Sequence, residues 1–87
     1  ITGFGRTGLM FGCNHDGVVP DIMTTGKGMA SGFPMSALVS TDEIMAAEPF
    51  SLPSASSSSY GGNPLAAAAG LVTIRTIIEE HLVENSA

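Results

Sequence analysis

The sequence predicts an α/β fold, and three observations predict it. Two short apolar runs, Asp21-Ile22-Met23-Thr24 and Met35-Ser36-Ala37-Leu38-Val39, each follow a proline and have the length of short strands. A long helical pattern opens at Asn63-Pro64 and repeats Ala67, Leu71, Ile74, Ile78 and Leu82 at spacings of three and four. Gly- and Ser-rich stretches separate these elements.

In order along the chain, residues 1–17 combine glycines with scattered apolar residues and read as loop and turn. Val18-Val19 must be extended before Pro20, and the first strand then runs into Gly26-Lys27-Gly28, so that Lys27 sits just past a strand end. The second strand follows Phe33-Pro34. Ser40, with Glu43 three residues on, fits a capping box for a helix that must stop near Glu48, ahead of Pro49. Residues 51–59, Ser-rich and interrupted by Pro53, read as a surface loop or linker. Asn63 as N-cap with Pro64 at the first helical position is a strong start for the last helix. Arg75 and Glu79 form an i,i+4 pair on its outer face, and Gly70 in its middle implies close packing there.

The chain has 87 residues, begins at Ile1 and ends at Ala87, and is expected to be an internal piece of a larger domain. A core of this size rarely contributes more than ~3–5 kcal/mol net, which makes independent stability marginal. The formal charge is −5, and Arg6, Lys27 and Arg75 are the only lysines and arginines. That balance provides no cationic footprint for nucleic acid or an anionic membrane. The single cysteine, Cys13, allows no internal disulfide, and neither a signal peptide nor a long apolar run is visible, so the expected setting is cytoplasmic.

Several motifs fail on context. Gly3-Phe4-Gly5-Arg6-Thr7-Gly8 matches G-x-G-x-x-G, yet no strand precedes it and no helical stripe follows, so it reads as a structural turn or an active-site loop. Gly26-Lys27-Gly28 lacks the earlier glycine and the following Ser or Thr of a phosphate-binding P-loop. Cys13, His15 and Asp16 have no second cluster to complete a metal site, and Cys13 as a nucleophile has only His15 as a nearby base. His81, at a charged helix end, reads as solvated.

Lys27 stands apart as the only lysine, set between glycines in a nearly uncharged stretch from Ile22 to Leu38. It reads either as an exposed turn lysine or as a Schiff-base lysine. The latter chemistry needs a neutral amine, which partial enclosure among apolar groups favours. Small neighbours would let a flat ring approach the backbone.

The ordered set Thr2-Gly3-Phe4-Gly5-Arg6-Thr7-Gly8, Met10-Phe11, Asp16-Gly17-Val18-Val19-Pro20-Asp21-Ile22, Lys27, Gly32-Phe33-Pro34 and Tyr60-Gly61-Gly62-Asn63-Pro64-Leu65-Ala66-Ala67-Ala68 resembles the class-III aminotransferases in order and spacing, over nearly the whole chain. The resemblance implies that residues 1–87 are part of the large cofactor-binding α/β domain of a fold-type-I enzyme, truncated at both ends. It implies that Lys27 forms the internal aldimine with pyridoxal 5'-phosphate and later shuttles a proton at the substrate carbon. It also implies that Ser59, where Thr is commoner, binds the cofactor phosphate of the neighbouring subunit of a homodimer with shared sites.

The family's acidic partner of the pyridinium nitrogen would lie before Ile1, and none of Asp16, Asp21 and Asp42 matches its place. Ile1 falls where many members carry Gln and can offer only apolar contact. The implied reaction is transamination between an amine or amino acid and an oxo acid, and the chain by itself is expected to be inactive. Decarboxylases and aminomutases share this frame. A non-catalytic or degenerate module that keeps the motifs is a further reading, and a nucleotide-binding domain would need a strand before Gly3.

Overall fold

Strands β1 (Ile22–Thr25) and β2 (Ala37–Ser40) pair antiparallel, with Ile22 opposite Ser40 and Thr25 opposite Ala37, in the computed structural model, which describes residues 1–87. β1 starts one residue later, and β2 two, than the apolar runs suggest, for two local reasons. The Asp21 carbonyl is taken by the Ser40 hydroxyl, which donates to it at 2.6 Å and closes that end of the pair. Met35 is drawn out of the strand to lie against the long helix.

That use of Ser40 also corrects the expected capping box. Helix α1 (Asp42–Met45) is capped by Thr41, whose Oγ1 accepts from the Ile44 N–H at 3.3 Å, so the cap is displaced by one residue. The helix ends before Glu48, and the Glu48–Pro49 peptide is cis. Residues 51–63 run through turns, and every one of them is exposed.

Helix α2 (Pro64–Glu79) begins as the sequence predicts. Asn63 Oδ1 accepts from the N–H groups of Leu65 and Ala66 at 2.9 and 3.1 Å, and Pro64 occupies the first turn, where no donor is needed. The helix breaks at Glu80–His81, with His81 in the left-handed region (φ 55°), and a short helix α3 (Leu82–Asn85) follows. Arg75 and Glu79 both lie on exposed positions, but the expected i,i+4 pair is not formed.

The inward face of α2 differs from the expected stripe. Ala66, Ala69, Gly70, Thr73, Ile74, Thr76 and Ile77 are wholly or partly buried, while Ala67 is exposed and Leu71 and Ile78 are 53% and 55% exposed. A helix reading PLAAAAGLVTIRTIIE is apolar on almost every side, so its period alone does not select a face. Size selects it. Small residues allow α2 to lie across the single 3-10 turn Lys27–Ala30. The expected close packing at Gly70 is observed: an added Cβ would sit 2.6 Å from Met35 Sδ and 3.6 Å from the Met29 carbonyl oxygen.

The core lies at this crossing. Met29 and Ala30 are 5% and 2% exposed and, with Gly5 and Gly70, are the only buried residues of the 87. Residues 1–17 form no long element, as predicted, but they are ordered by their own bonds. Gly3 bridges Phe11, the Phe4 and Phe11 rings meet edge-on at 5.6 Å, and a 3-10 turn, Gly12–Asp16, is held by Asn14 Oδ1 accepting from the Phe11 N–H. Gly3–Gly8 opens no α-helix, and the element that follows is this 3-10 turn, so the segment is not a dinucleotide-binding turn.

Candidate active site

β1 delivers Lys27. Beyond Thr25 the chain passes through an extended Gly26, and Lys27 then adopts φ 43°, in the left-handed region that side chains avoid. Such a conformation costs on the order of 1–3 kcal/mol and persists only where surrounding contacts impose it. Those contacts are present. The Met29 N–H donates to the Gly26 carbonyl at 3.2 Å, Thr25 Oγ1 lies 3.7 Å from Met29 Sδ and 3.4 Å from the Ala37 carbonyl, and Met29 and Ala30 are buried under α2.

Lys27 lines a cleft of about 470 Å³ whose walls include Phe4, Arg6, Phe11, Thr24 and Thr25. Within this chain Lys27 is exposed, and residues 1–13 and β1 wall the cleft on one side. Cys13 also lines this cleft. His15 does not act on it, since its Nε2 is engaged by the Thr7 carbonyl and hydroxyl at 3.1 and 3.0 Å.

Ser59 lies elsewhere, on the exposed loop before α2. Its neighbours Ser58, Tyr60, Gly61 and Gly62 line a second cleft, of about 400 Å³, that shares no lining residue with the first. The helix end beside it is less free than the sequence suggests. Asn63 satisfies the Leu65, Ala66 and Ala67 N–H groups through its side chain and its carbonyl, and Gly61 and Asn63 donate to Ser58 and Tyr60. The backbone donors that remain are those of Ser58, Ser59, Tyr60 and Gly62, together with the Ser58 and Ser59 hydroxyls. An anion would therefore be met by the loop, with the helix dipole behind it.

The residue that the sequence does not single out is Arg6. Within Gly3–Gly8 it reads as part of a turn, and only the folding of that turn against the Lys27 segment puts both cations on one cleft. No helix is long and apolar enough to cross a membrane, and no group of three or more His, Cys, Asp or Glu is placed to hold a metal ion.

Comparison with known proteins covers nearly the whole chain. The family model described as aminotransferase class-III matches residues 1–87. A 4-aminobutyrate aminotransferase of Mycobacterium leprae (strain TN) is 47% identical over 85 residues, which is 98% of this chain and 18% of that protein. Among solved structures, an S-selective transaminase from Arthrobacter sp. superposes with a TM-score of 0.83 at 46% identity, over 95% of this chain and 18% of that one. The ornithine aminotransferase of Toxoplasma gondii, whose structure has partial occupancy of PLP at its active site, gives 0.86 at 34% identity, over 95% and 19%. The chain thus spans about a fifth of the length of the relatives it matches, and its α/β fold is that of the matching segment in fold-type-I transaminases. By its sequence over residues 1–87 and by its fold, the chain belongs to the class-III aminotransferases.

Proposed function

We propose that this chain is the lysine-bearing part of the large domain of a pyridoxal 5'-phosphate-dependent aminotransferase, and that Lys27 tethers the cofactor. The observation that carries this reading is a lone lysine held on a left-handed turn just beyond β1 and opening on a cleft, in a chain of this family.

The residues present fit the group. Lys27 offers the one primary amine side chain, Thr24 and Thr25 offer hydroxyls, and Phe4 and Phe11 offer apolar walls in a space of the size that small-molecule sites occupy. The hydroxyl of Ser59 and the free N–H groups of its loop suit a phosphate, but the loop residues Ser58, Tyr60, Gly61 and Gly62 line the other cleft, and Ser59 itself lines neither. Their separation favours a homodimer in which each Lys27 works with the partner's loop, and so supports Ser59 acting in trans.

When bound, the cofactor supplies the electron sink that makes an amino-group transfer possible. The chain supplies position. Its strained turn fixes the point from which the Lys27 side chain starts at the cleft, and the amine of Lys27 would hold the cofactor and carry a proton to and from the substrate carbon. The substrates are then a small amine or amino acid and an oxo acid. Borohydride reduction of the full-length, cofactor-loaded protein, followed by peptide mapping, should place a pyridoxyl group on Lys27. A label on another lysine, with Lys27 unmodified, rejects the assignment.

A further inference from the structure

We propose that Val83 of α3 is a positioning residue for the Lys27 cleft: it backs Gly5 and so fixes the Gly3–Gly8 loop, with Phe4, against the lysine turn. The inference rests on the reading of Lys27 as the cofactor-tethering amine.

The contact at Gly5 is its first support. Gly5 is one of the four buried residues and has φ 88°, and a Cβ added there would sit 3.0 Å from Val83 Cγ2, 3.2 Å from its Cα and 3.5 Å from its Cβ. The three heavy atoms nearest that point all belong to Val83. Glycine is the residue that permits both the positive φ and so close an approach. Val83 is in turn the one residue of α3 that the chain partly buries. Two residues from opposite ends of the sequence are thus fitted to each other.

The second support is the way α3 comes to lie there. α2 stops at Glu79, His81 takes φ 55°, and α3 then packs back against α2. A histidine in the left-handed region is held there by its surroundings. The elbow gives one helical unit two footholds: α2 crosses the lysine turn at Gly70, and α3 crosses the loop at Gly5. These are the two buried glycines of the chain.

The loop passes this placement on to the cleft. The Gly5 N–H donates to the Met10 carbonyl at 3.2 Å, the Gly8 N–H to the Gly5 carbonyl at 3.1 Å and the Gly12 N–H to the Thr2 carbonyl at 2.8 Å, so the loop is tied as a unit. Within it Phe4 has φ 56°, in the same avoided region as Lys27 at φ 43°. The Phe4 Cβ lies 3.8 Å from where a Cβ of Gly28 would be. Two residues in costly conformations therefore face each other beside Gly28, and each needs a frame behind it. α2 braces the lysine turn, and Val83 braces the loop. Phe4 lines the cleft with Lys27 and no residue of α3 does, so Val83 acts on the cleft through the loop.

The test uses the full-length protein, with and without cofactor, as wild type, Val83→Ala, Val83→Ile and Leu82→Ala. Val83→Ala empties the space behind Gly5, and Val83→Ile keeps both γ carbons. Leu82→Ala removes apolar atoms from the same helix but none of those nearest Gly5. In the cofactor-free proteins, hydrogen exchange of the Gly5 and Gly8 amides reads the loop. Val83→Ala should speed that exchange by about 4- to 15-fold, the range for one to two lost buried carbons. In the loaded proteins it should weaken the visible circular dichroism per bound cofactor. It should also lower kcat by up to about 10²-fold, as for a small misplacement made at a distance from the chemistry, with KM moving less. Val83→Ile should match wild type in every readout. Leu82→Ala should lower the urea midpoint and leave the loop amides, the dichroism and kcat in place.

A Val83→Ala protein that loses only stability, with loop exchange, dichroism and kcat unchanged, would make Val83 a structural residue and overturn the proposal. Equal effects of Val83→Ala and Leu82→Ala on the loop and on kcat would overturn it as well. Should Val83→Ala not fold, Val83→Thr, which keeps the branched shape and replaces one methyl by a hydroxyl, carries the same comparison. Failure of the underlying reading looks different: borohydride then labels another lysine in the wild type, while the loop amides still report whether Val83 holds the loop.

Discussion

The Lys27 turn and the Ser51–Gly62 loop place the two groups proposed to hold one cofactor in opposite settings. Residues 26–30 are fixed from within, by the β1–β2 pair on one side and by α2 on the other, and contain both side chains of the buried core. Residues 51–62 are exposed throughout, and Tyr60 at 84% exposure packs against nothing in the chain. A strained lysine needs a rigid frame that its own chain can build. A loop with free donors and little packing gains its order from whatever it binds.

The largest effect that can break this contrast comes from mixing subunits. In the full-length protein Lys27→Ala should lower activity by at least the ~10²- to 10⁴-fold that a positioned proton carrier contributes. Ser59→Ala should weaken cofactor retention by roughly 1.5–3 kcal/mol, as for a lost hydrogen bond to a charged group, whereas Ser54→Ala should do little. If the two residues serve one cofactor across an interface, a mixed dimer has one site with both defects and one with neither, so activity returns on combining the two variants. Mixed dimers that demonstrably form and stay inactive sink the shared site.

A smaller effect tests the frame alone. Gly70→Leu places four carbons where Met35 Sδ would already lie 2.6 Å from a first one, and should destabilise the protein by about 1–3 kcal/mol through overpacking against the Lys27 turn. Gly70→Ala should be close to neutral. Its helix-propensity gain of up to ~1 kcal/mol opposes a displacement that the flexible end of Met35 can absorb. Urea unfolding of the full-length protein measures both, and an unaffected Gly70→Leu would mean that α2 does not brace the lysine.

Much of this frame was legible in the sequence, and its misreadings have physical causes. The Asn63-Pro64 start is decided by bonds within four residues, and it is found where expected. The lysine at a strand end and the tight approach at Gly70 follow from local chemistry in the same way. Ser40 was read as a cap because its competing acceptor, the Asp21 carbonyl, is 19 residues away and becomes a neighbour only when the strands pair. The buried face of α2 was missed because a helix apolar on most sides leaves the choice to its partner, and the Lys27 turn takes the small residues. The pairing of Arg6 with Lys27 had no sequence signal, since a cation inside a glycine turn says nothing of the cleft it will face.

The smallest effect acts at the joint between the two regions. Asn63 ends the loop and starts the helix, so one side chain serves both, and three substitutions separate its roles. Asn63→Ala leaves the Leu65 and Ala66 N–H groups without their acceptor and should lower stability by about 1 kcal/mol, with the first turn of α2 frayed. Asn63→Ser keeps an N-cap and should restore most of that stability. Asn63→Asp also keeps the cap, with a carboxylate that favours the helix N-terminus, so folding stability should stay near wild type. That carboxylate would stand beside the Ser59–Gly62 donors, however, and would repel a phosphate held there. If the loop binds the cofactor's phosphate, Asn63→Asp should lose cofactor on dialysis at unchanged stability while Asn63→Ser retains it. Equal retention by the two variants would mean that the loop's free donors face something other than an anion.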